Sequence, residues 1–444
     1  MNTAKRVSAA LSLGVAAVLL LAAALQASSL ADLTSAVLDP GFNGDGIATL
    51  HIGDNQSFGS AVALQPDGRI VVAGTSLTGS NHAFAVVRYD TGGSLDSTFG
   101  SGGVVTTPLY GDGVYVADLV LQSDGKIIVV GSSGAYVNPV VALARYETDG
   151  TLDNNFGSSG IVTAPYGAGT NNSCSGVVLT SFDKYIVVAG TTWFSDYEFA
   201  LARFDSDGNL DSSFGVGGIV TTDLAGDWDF GHAIALQPSD DKVVVAGRTR
   251  RGSHSDYDFA LARYDFDGNL DGSFGNSGIV STSVTSSFDS INGLAVQPDG
   301  KIVAAGLGDG GDVALARYNT NGTLDTSFDG DGIVTAAAHT STEAYDVVIQ
   351  PDGKIVVVGM IGVSLDSDVL LARFNGDGSL DTSFGGGMVI TAIGTDSSEA
   401  HAAALQSDGK IMVTGFSANG MQQDIAVLRY GAYLVYLPLT LRNH

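Results

Sequence analysis

Residues 261–275 read LARYDFDGNLDGSFG: an apolar run closed by Arg263 and Tyr264, then Asp265, Asp267 and Asp271 among glycine and small side chains. Taken alone, three carboxylates so placed suggest a calcium loop. The rest of the chain changes that meaning, because the pattern recurs. LDPGF, LDSTF, LDNNF, LDSSF, LDGSF and, twice, LDTSF begin at Leu38, Leu95, Leu152, Leu210, Leu270, Leu324 and Leu380. Two further markers keep phase with it. One is a turn, QPDGRI at Gln65, with versions at Gln122, Ser181, Gln237, Gln297, Gln350 and Gln406. The other is an arginine followed by an aromatic residue, at Arg88, Arg145, Arg203, Arg263, Arg317, Arg373 and Arg429.

Each unit, roughly 57 residues long, holds four strand-like runs. An AVALQ-like run turns through Pro-Asp-Gly, where proline presets the first turn position and glycine takes the left-handed one. KIVVAG follows, apolar almost throughout, as suits a sheet covered on both faces. The FALARYD run, the glycine-punctuated DxDGxLDxxFG segment and a GIVTT run complete the unit. After the first thirty residues no stretch sustains a helical period, so the chain is expected to be all-β. The period is too long for one coil of a solenoid and fits a four-stranded propeller blade. The units resemble the delta-60 repeat, and their strand order is similar to the NHL type of propeller blade. That resemblance covers roughly Leu38 to Tyr430 and implies a propeller fold, while the family's biochemical role is not well defined. The opening LDPGFNGDGIATL then corresponds to an outermost strand, and the last unit stops after IAVLRY, a third strand. The expectation is a seven-bladed β-propeller of four-stranded antiparallel blades over 38–430, closed by the N-terminal strand joining the last blade.

The two ends read differently. Lys5 and Arg6 precede an apolar run from Ala9 to Leu25, and Ala27, Ser28, Ser29 and Ala31 follow. This is the pattern of a signal peptide over 1–31 and is short for a membrane anchor. A secreted, extracellular or cell-surface protein is expected, with no transmembrane helix in the mature chain. The tail, 431–444, ends YLVYLPLTLRNH. It resembles the aromatic-Leu-Pro-Leu ends of some exported bacterial proteins, which implies sorting or anchoring; its alternation also suits an extra strand. A formal charge of −27 disfavours nucleic acid as a partner. Cys174 is the only cysteine, which excludes an internal disulfide, and a monomer is expected.

Comparing copies separates carpentry from candidates. The last aspartate of the segment recurs as Asp39, Asp96, Asp153, Asp211, Asp271, Asp325 and Asp381, but the position of Asp265 drifts to Glu147, Asn319 and Asn375. Calcium needs about six oxygen ligands, so turn capping is expected, with calcium kept as an alternative in one or two copies. The repeated arginine is expected to pair with the repeated aspartate. Arg248, Arg250 and Arg251, in GRTRRGSHSDYD, break the repeat. With Trp193, Tyr197, Asp227, Trp228, His232 and Tyr257 they are the candidate ligand-binding residues on one rim of variable loops. Flat apolar faces beside charged groups suit a glycan, an anionic polymer or a protein ligand; the alternative is that these residues only close loops over the blades. Ser60, Ala117, Ser175, His232, Asn292, Tyr345 and His401 occupy equivalent positions and are expected around the channel mouth. The two histidines, with no carboxylate at the same ring position, are not expected to form a metal site. HExxH, GxxxxGK and GxSxG are absent, so no catalytic residue or cofactor is assigned. A non-enzymatic binding module is the leading expectation. The alternatives are a carbohydrate-active hydrolase or lyase using rim carboxylates and a purely structural surface protein.

Overall fold

The computed structural model describes residues 34–434, apart from short segments at 55, 80, 136–137, 168, 225–227, 251–255, 337–340 and 364–365. Strands β1 (Thr34–Leu38) and β2 (Ile47–Leu50) come first. Blade 1 holds β3 (Ser57–Leu64), β4 (Ile70–Thr78), β5 (Asn81–Tyr89) and β6 (Val104–Pro108). Blade 2 holds β7 (Tyr115–Leu121), β8 (Ile127–Ala135), β9 (Asn138–Tyr146) and β10 (Ile161–Ala164). Blade 3 holds β11 (Thr170–Leu179), β12 (Tyr185–Trp193), β13 (Tyr197–Asp205) and β14 (Ile219–Thr222). Blade 4 holds β15 (Asp229–Gln237), β16 (Lys242–Arg250), β17 (Tyr257–Tyr264) and β18 (Ile279–Thr282). Blade 5 holds β19 (Ser290–Val296), β20 (Ile302–Gly308), β21 (Asp312–Tyr318) and β22 (Ile333–Ala336). Blade 6 holds β23 (Thr342–Ile349), β24 (Ile355–Val363), β25 (Asp366–Phe374) and β26 (Met388–Thr391). Blade 7 holds β27 (Ser398–Leu405), β28 (Ile411–Asn419) and β29 (Gln422–Leu434). All pairings within the blades are antiparallel, and among the described residues no helix is long and apolar enough to cross a membrane.

The fourth strand of blade 7 comes from the other end of the chain. β2 pairs with β29 from Ile47↔Leu428 to Leu50↔Ile425, so the ring closes as expected. β29 then runs past the last repeat, and β1 pairs with that extension from Leu38↔Tyr430 to Thr34↔Leu434. Blade 7 therefore has five strands, a feature the repeat pattern does not contain. The start of the tail, Gly431 to Leu434, is strand; 435–444 and 1–33 lie outside the described residues, and with them the signal segment and the rest of the tail.

The middle strands are buried from end to end, β4 over Ile70–Ser76 for example, because each blade is covered by its neighbours. Seven apolar clusters fill the seven interfaces, one of them joining blade 7 to blade 1 through Met412, Ile425, Phe42 and Val72.

The recurring charges fasten the blades. In six units the arginine Nε donates to Oδ2 of the LD aspartate at 2.7 or 2.8 Å, and in the closing unit Arg429 Nε forms an ion pair with Asp39 Oδ2 at 2.8 Å. Each guanidinium also lies over the phenylalanine of its own LDxxF segment, 4.2–5.1 Å from the ring centre. In six units it reaches a backbone carbonyl of the following blade's turn: Thr148, Ser206, Phe266, Thr320, Gly376 and, across the closure, Thr91. The other aspartate oxygen accepts the amide two residues on, as Asp271 does from Ser273. Asp265 caps its turn through the amides of Asp267 and Asn269. The carboxylates of the opening stretch are thus turn caps and anchors. In six units the cation of the PDG turn joins the same aspartate, at 2.6–3.4 Å; Lys184 lies instead over the Tyr185 ring.

Candidate functional site

The inner strands β3, β7, β11, β15, β19, β23 and β27 surround the axis, and each carries a bulge at the same place. The extra residue is the one equivalent in every unit: Ser60, Ala117, Ser175, His232, Asn292, Tyr345 and His401. A bulged residue leaves the ladder and its side chain is re-aimed; here all seven line one cavity. The repeat's IVVAG glycine permits this. A Cβ on Gly247 would stand 1.8 Å from the Phe230 carbonyl oxygen, and the other six copies are as close, at 1.8–2.1 Å.

Two residues before each bulge stand Phe58, Tyr115, Ser173, Phe230, Ser290, Glu343 and Glu399, so aromatic residues fall on blades 1, 2 and 4 and acids on blades 6 and 7. Glu343 accepts from Asn292 at 3.1 Å and from the Tyr345 hydroxyl at 3.3 Å. Burial, with the neighbouring Glu399 charge, pushes the Glu343 carboxyl up, and burial with both glutamates pushes the Tyr345 phenol up. His401 Nε2 lies 3.4 Å from Glu399 and its Nδ1 3.0 Å from the Gly59 carbonyl of blade 1. His232 Nδ1 lies 3.1 Å from the Ile291 carbonyl of blade 5. Burial, and then the Arg248 charge, pull this imidazole down to about 4, so it is neutral at physiological pH. One residue after the bulge, Asp118 and Asp346 line a second cavity that shares the same seven residues. Each accepts an amide of its own strand and one of the next blade, Val177 and Ala403 respectively. Burial pushes them up to about 7 and about 6.

On the loop face the channel mouth continues into an aromatic shelf. Trp193 and Tyr197 face each other across the β12–β13 hairpin with ring centres 4.7 Å apart. Trp228, just ahead of β15, is 6.4 Å from Trp193 and 5.6 Å from Tyr197. Phe230 touches Tyr197 at 4.6 Å and leads through Tyr257 to Phe288 of blade 5. Trp193, Tyr197, Trp228 and Phe230 are half-buried. The Arg250 guanidinium lies 4.3 Å over Trp228, and Arg248 lies over Phe230, Tyr257 and Phe288 at 4.6, 5.2 and 5.2 Å. Seven predicted residues thus come together: Trp193, Tyr197, Trp228, His232, Arg248, Arg250 and Tyr257. Asp227 and Arg251 lie outside the described residues.

A family model described as a domain of unknown function (DUF5122) beta-propeller matches residues 65–99, 122–156, 183–214, 239–274, 297–328, 350–384 and 406–432. The chain belongs to the DUF5122 β-propeller family. This DUF5122 propeller is similar in fold to a catalytically inactive virginiamycin B lyase from Staphylococcus aureus with quinupristin, at TM-score 0.50 and 11% identity, over 86% of this chain and 98% of that one. It is also similar to Sqt1 from Chaetomium thermophilum bound to the N-terminus of a ribosomal protein, at TM-score 0.48 and 12% identity, over 87% and 100%. At such identities the likeness concerns the fold alone. No curated protein matches the chain by sequence.

Several residues of the mouth escape the sequence reading: Glu343, Glu399, Asp118, Asp346 and Phe288. For the four acids a signal exists. Setting the units in register on the bulge residue, rather than inspecting that residue alone, places them two before or one after it. Phe288 sits in a linker of variable length, where register gives no help.

Proposed function

We propose that this DUF5122 protein is a binding module, acting outside the cell as a monomer, whose ligand lies on the loop face of blades 3 to 5 with one end at the channel mouth. Delta-60 is the finer repeat type we assign to it, and the extracellular setting rests on the charged, apolar and small-residue order of its first 31 residues. The ligand class is a glycan. The observation that carries this is the half-buried shelf of Trp193, Tyr197 and Trp228, three large rings grouped on an otherwise acidic molecule. Aromatic faces of this kind stack on the apolar faces of sugar rings, and polar groups at the edge set orientation. The reading invokes no metal.

The test is a glycan array followed by calorimetry on the best hit. Trp228→Ala is expected to weaken binding at least about tenfold, the loss of roughly 1.4 kcal/mol, without moving the melting temperature by more than a degree or two. An array with no glycan bound, or a Trp228→Ala variant of unchanged affinity, contradicts the proposal. One observation favours an enzyme as second reading: Glu343, Glu399, Tyr345 and His401 meet at the mouth, as acid and base groups do in glycoside cleavage. Release of shortened products from a bound oligosaccharide, lost in Glu343→Gln, distinguishes it.

A further inference from the structure

Arg248 stands out among the cations of the loop face. Its guanidinium is stacked on three rings, yet among the described residues it makes no hydrogen bond or ion pair with an acid, and its Nε is buried without a partner. An arginine fork held by packing alone has donors left for an acceptor that is not part of the protein. Burial pulls this guanidinium down from its ordinary value, so an anion that shares the pocket restores a partner to a half-buried charge.

The surroundings limit that anion to one. Glu343 lies within electrostatic reach of Arg248, and Glu399 stands beside Glu343. With a net charge of −27 on the chain, a densely charged polymer is repelled. Resting on the glycan reading above, we infer that Arg248 receives the carboxylate of a single uronic acid, while neutral sugars next to it stack on Tyr197 and Trp228. A planar carboxylate matches the two parallel donors of a guanidinium. Phe230, which touches both Arg248 and Tyr197, spaces the anion site from the shelf by about one ring.

The test uses an array of uronate-bearing oligosaccharides printed beside carboxyl-reduced copies and acidic peptides, probed with wild type, Arg248→Gln, Arg248→Lys and Trp228→Ala. Wild type is expected to prefer the uronates over their reduced copies at least about tenfold, or roughly 1.4 kcal/mol. Arg248→Gln erases the preference but keeps the weaker neutral binding, Arg248→Lys keeps part of the preference, and Trp228→Ala loses both. Equal binding to acidic and reduced glycans, unchanged in Arg248→Gln, overturns the uronate site and leaves the glycan shelf standing. Arg248-dependent capture of the peptides alone overturns the choice of glycan, and no binding at all removes both. Unfolding of Arg248→Gln is checked by its melting curve; if it does not fold, Arg248→Lys carries the comparison.

Discussion

Tyr146 and Thr107 hold hydroxyls 2.7 Å apart across the interface of blades 2 and 1, and the pairing recurs as Tyr264 with Thr222, Tyr318 with Thr282 and Tyr430 with Thr391. Where the tyrosine becomes Phe204 or Phe374, the equivalent residue on the preceding blade's fourth strand becomes Ala164 or Ala336. Only Tyr89 is mismatched: its counterpart is Leu50 on β2, and its buried hydroxyl has no partner. Removing one member of a buried hydrogen bond costs about 1 kcal/mol, whereas removing a polar group that has no partner costs nothing or stabilises. Tyr146→Phe is therefore expected to lower the urea midpoint, and Tyr89→Phe to leave it unchanged or raise it. A second residue-level expectation concerns the anchors. Burial pushes Asp153 up, but the Lys126 hydrogen bond, the Asn155 amide and Arg145 outweigh it and hold the carboxyl at about 2. Stability from such a group is complete above its unfolded value near 4 and is lost as pH falls toward 2.

The strand bulges are where the repeat and the site meet. Gly247 lets the β15 backbone approach β16 and turns His232 to the channel. Gly247→Ala forces those strands apart and is expected to cost about 1–3 kcal/mol, read as a lower melting temperature with a changed near-ultraviolet spectrum from the adjoining aromatic shelf. The strands, the turns and the arginine–aspartate pairs were legible in the sequence because seven copies vary around one constraint. The shelf was legible for the opposite reason, since Trp193, Trp228 and Arg248 depart from their copies. What was not legible depends on contacts between units or outside them. β1 pairs with an extension that belongs to no repeat, and Arg248 meets Phe288 and feels the Glu343 charge only because the blades bring their loop ends together.

Around the whole ring, closure and the channel make separate demands. Deleting 34–50 removes both N-terminal strands from β29, leaves it paired with β28 alone and exposes its other edge, so the truncated protein is expected to associate or aggregate in light scattering while the full chain does not. In the channel, Asp118 and Asp346 bind protons more tightly folded than unfolded, since burial raises them to about 7 and about 6. Between pH 4 and 7 the native state therefore holds more protons, and stability falls as pH rises through that window. Blades 1, 4 and 7 carry Ala61, Ala233 and Ala402 at this position; Asp118→Ala with Asp346→Ala is expected to flatten the slope, a change on the order of 6 kcal/mol across the window. The division of labour between repeated and unrepeated residues is tested by measuring, side by side, the melting temperature and glycan affinity of Asp271→Ala and Trp228→Ala. We expect Asp271→Ala to melt lower and bind as wild type does, and Trp228→Ala to melt as wild type does and lose binding. Affinity lost on removing the anchor and kept on removing the tryptophan would contradict it.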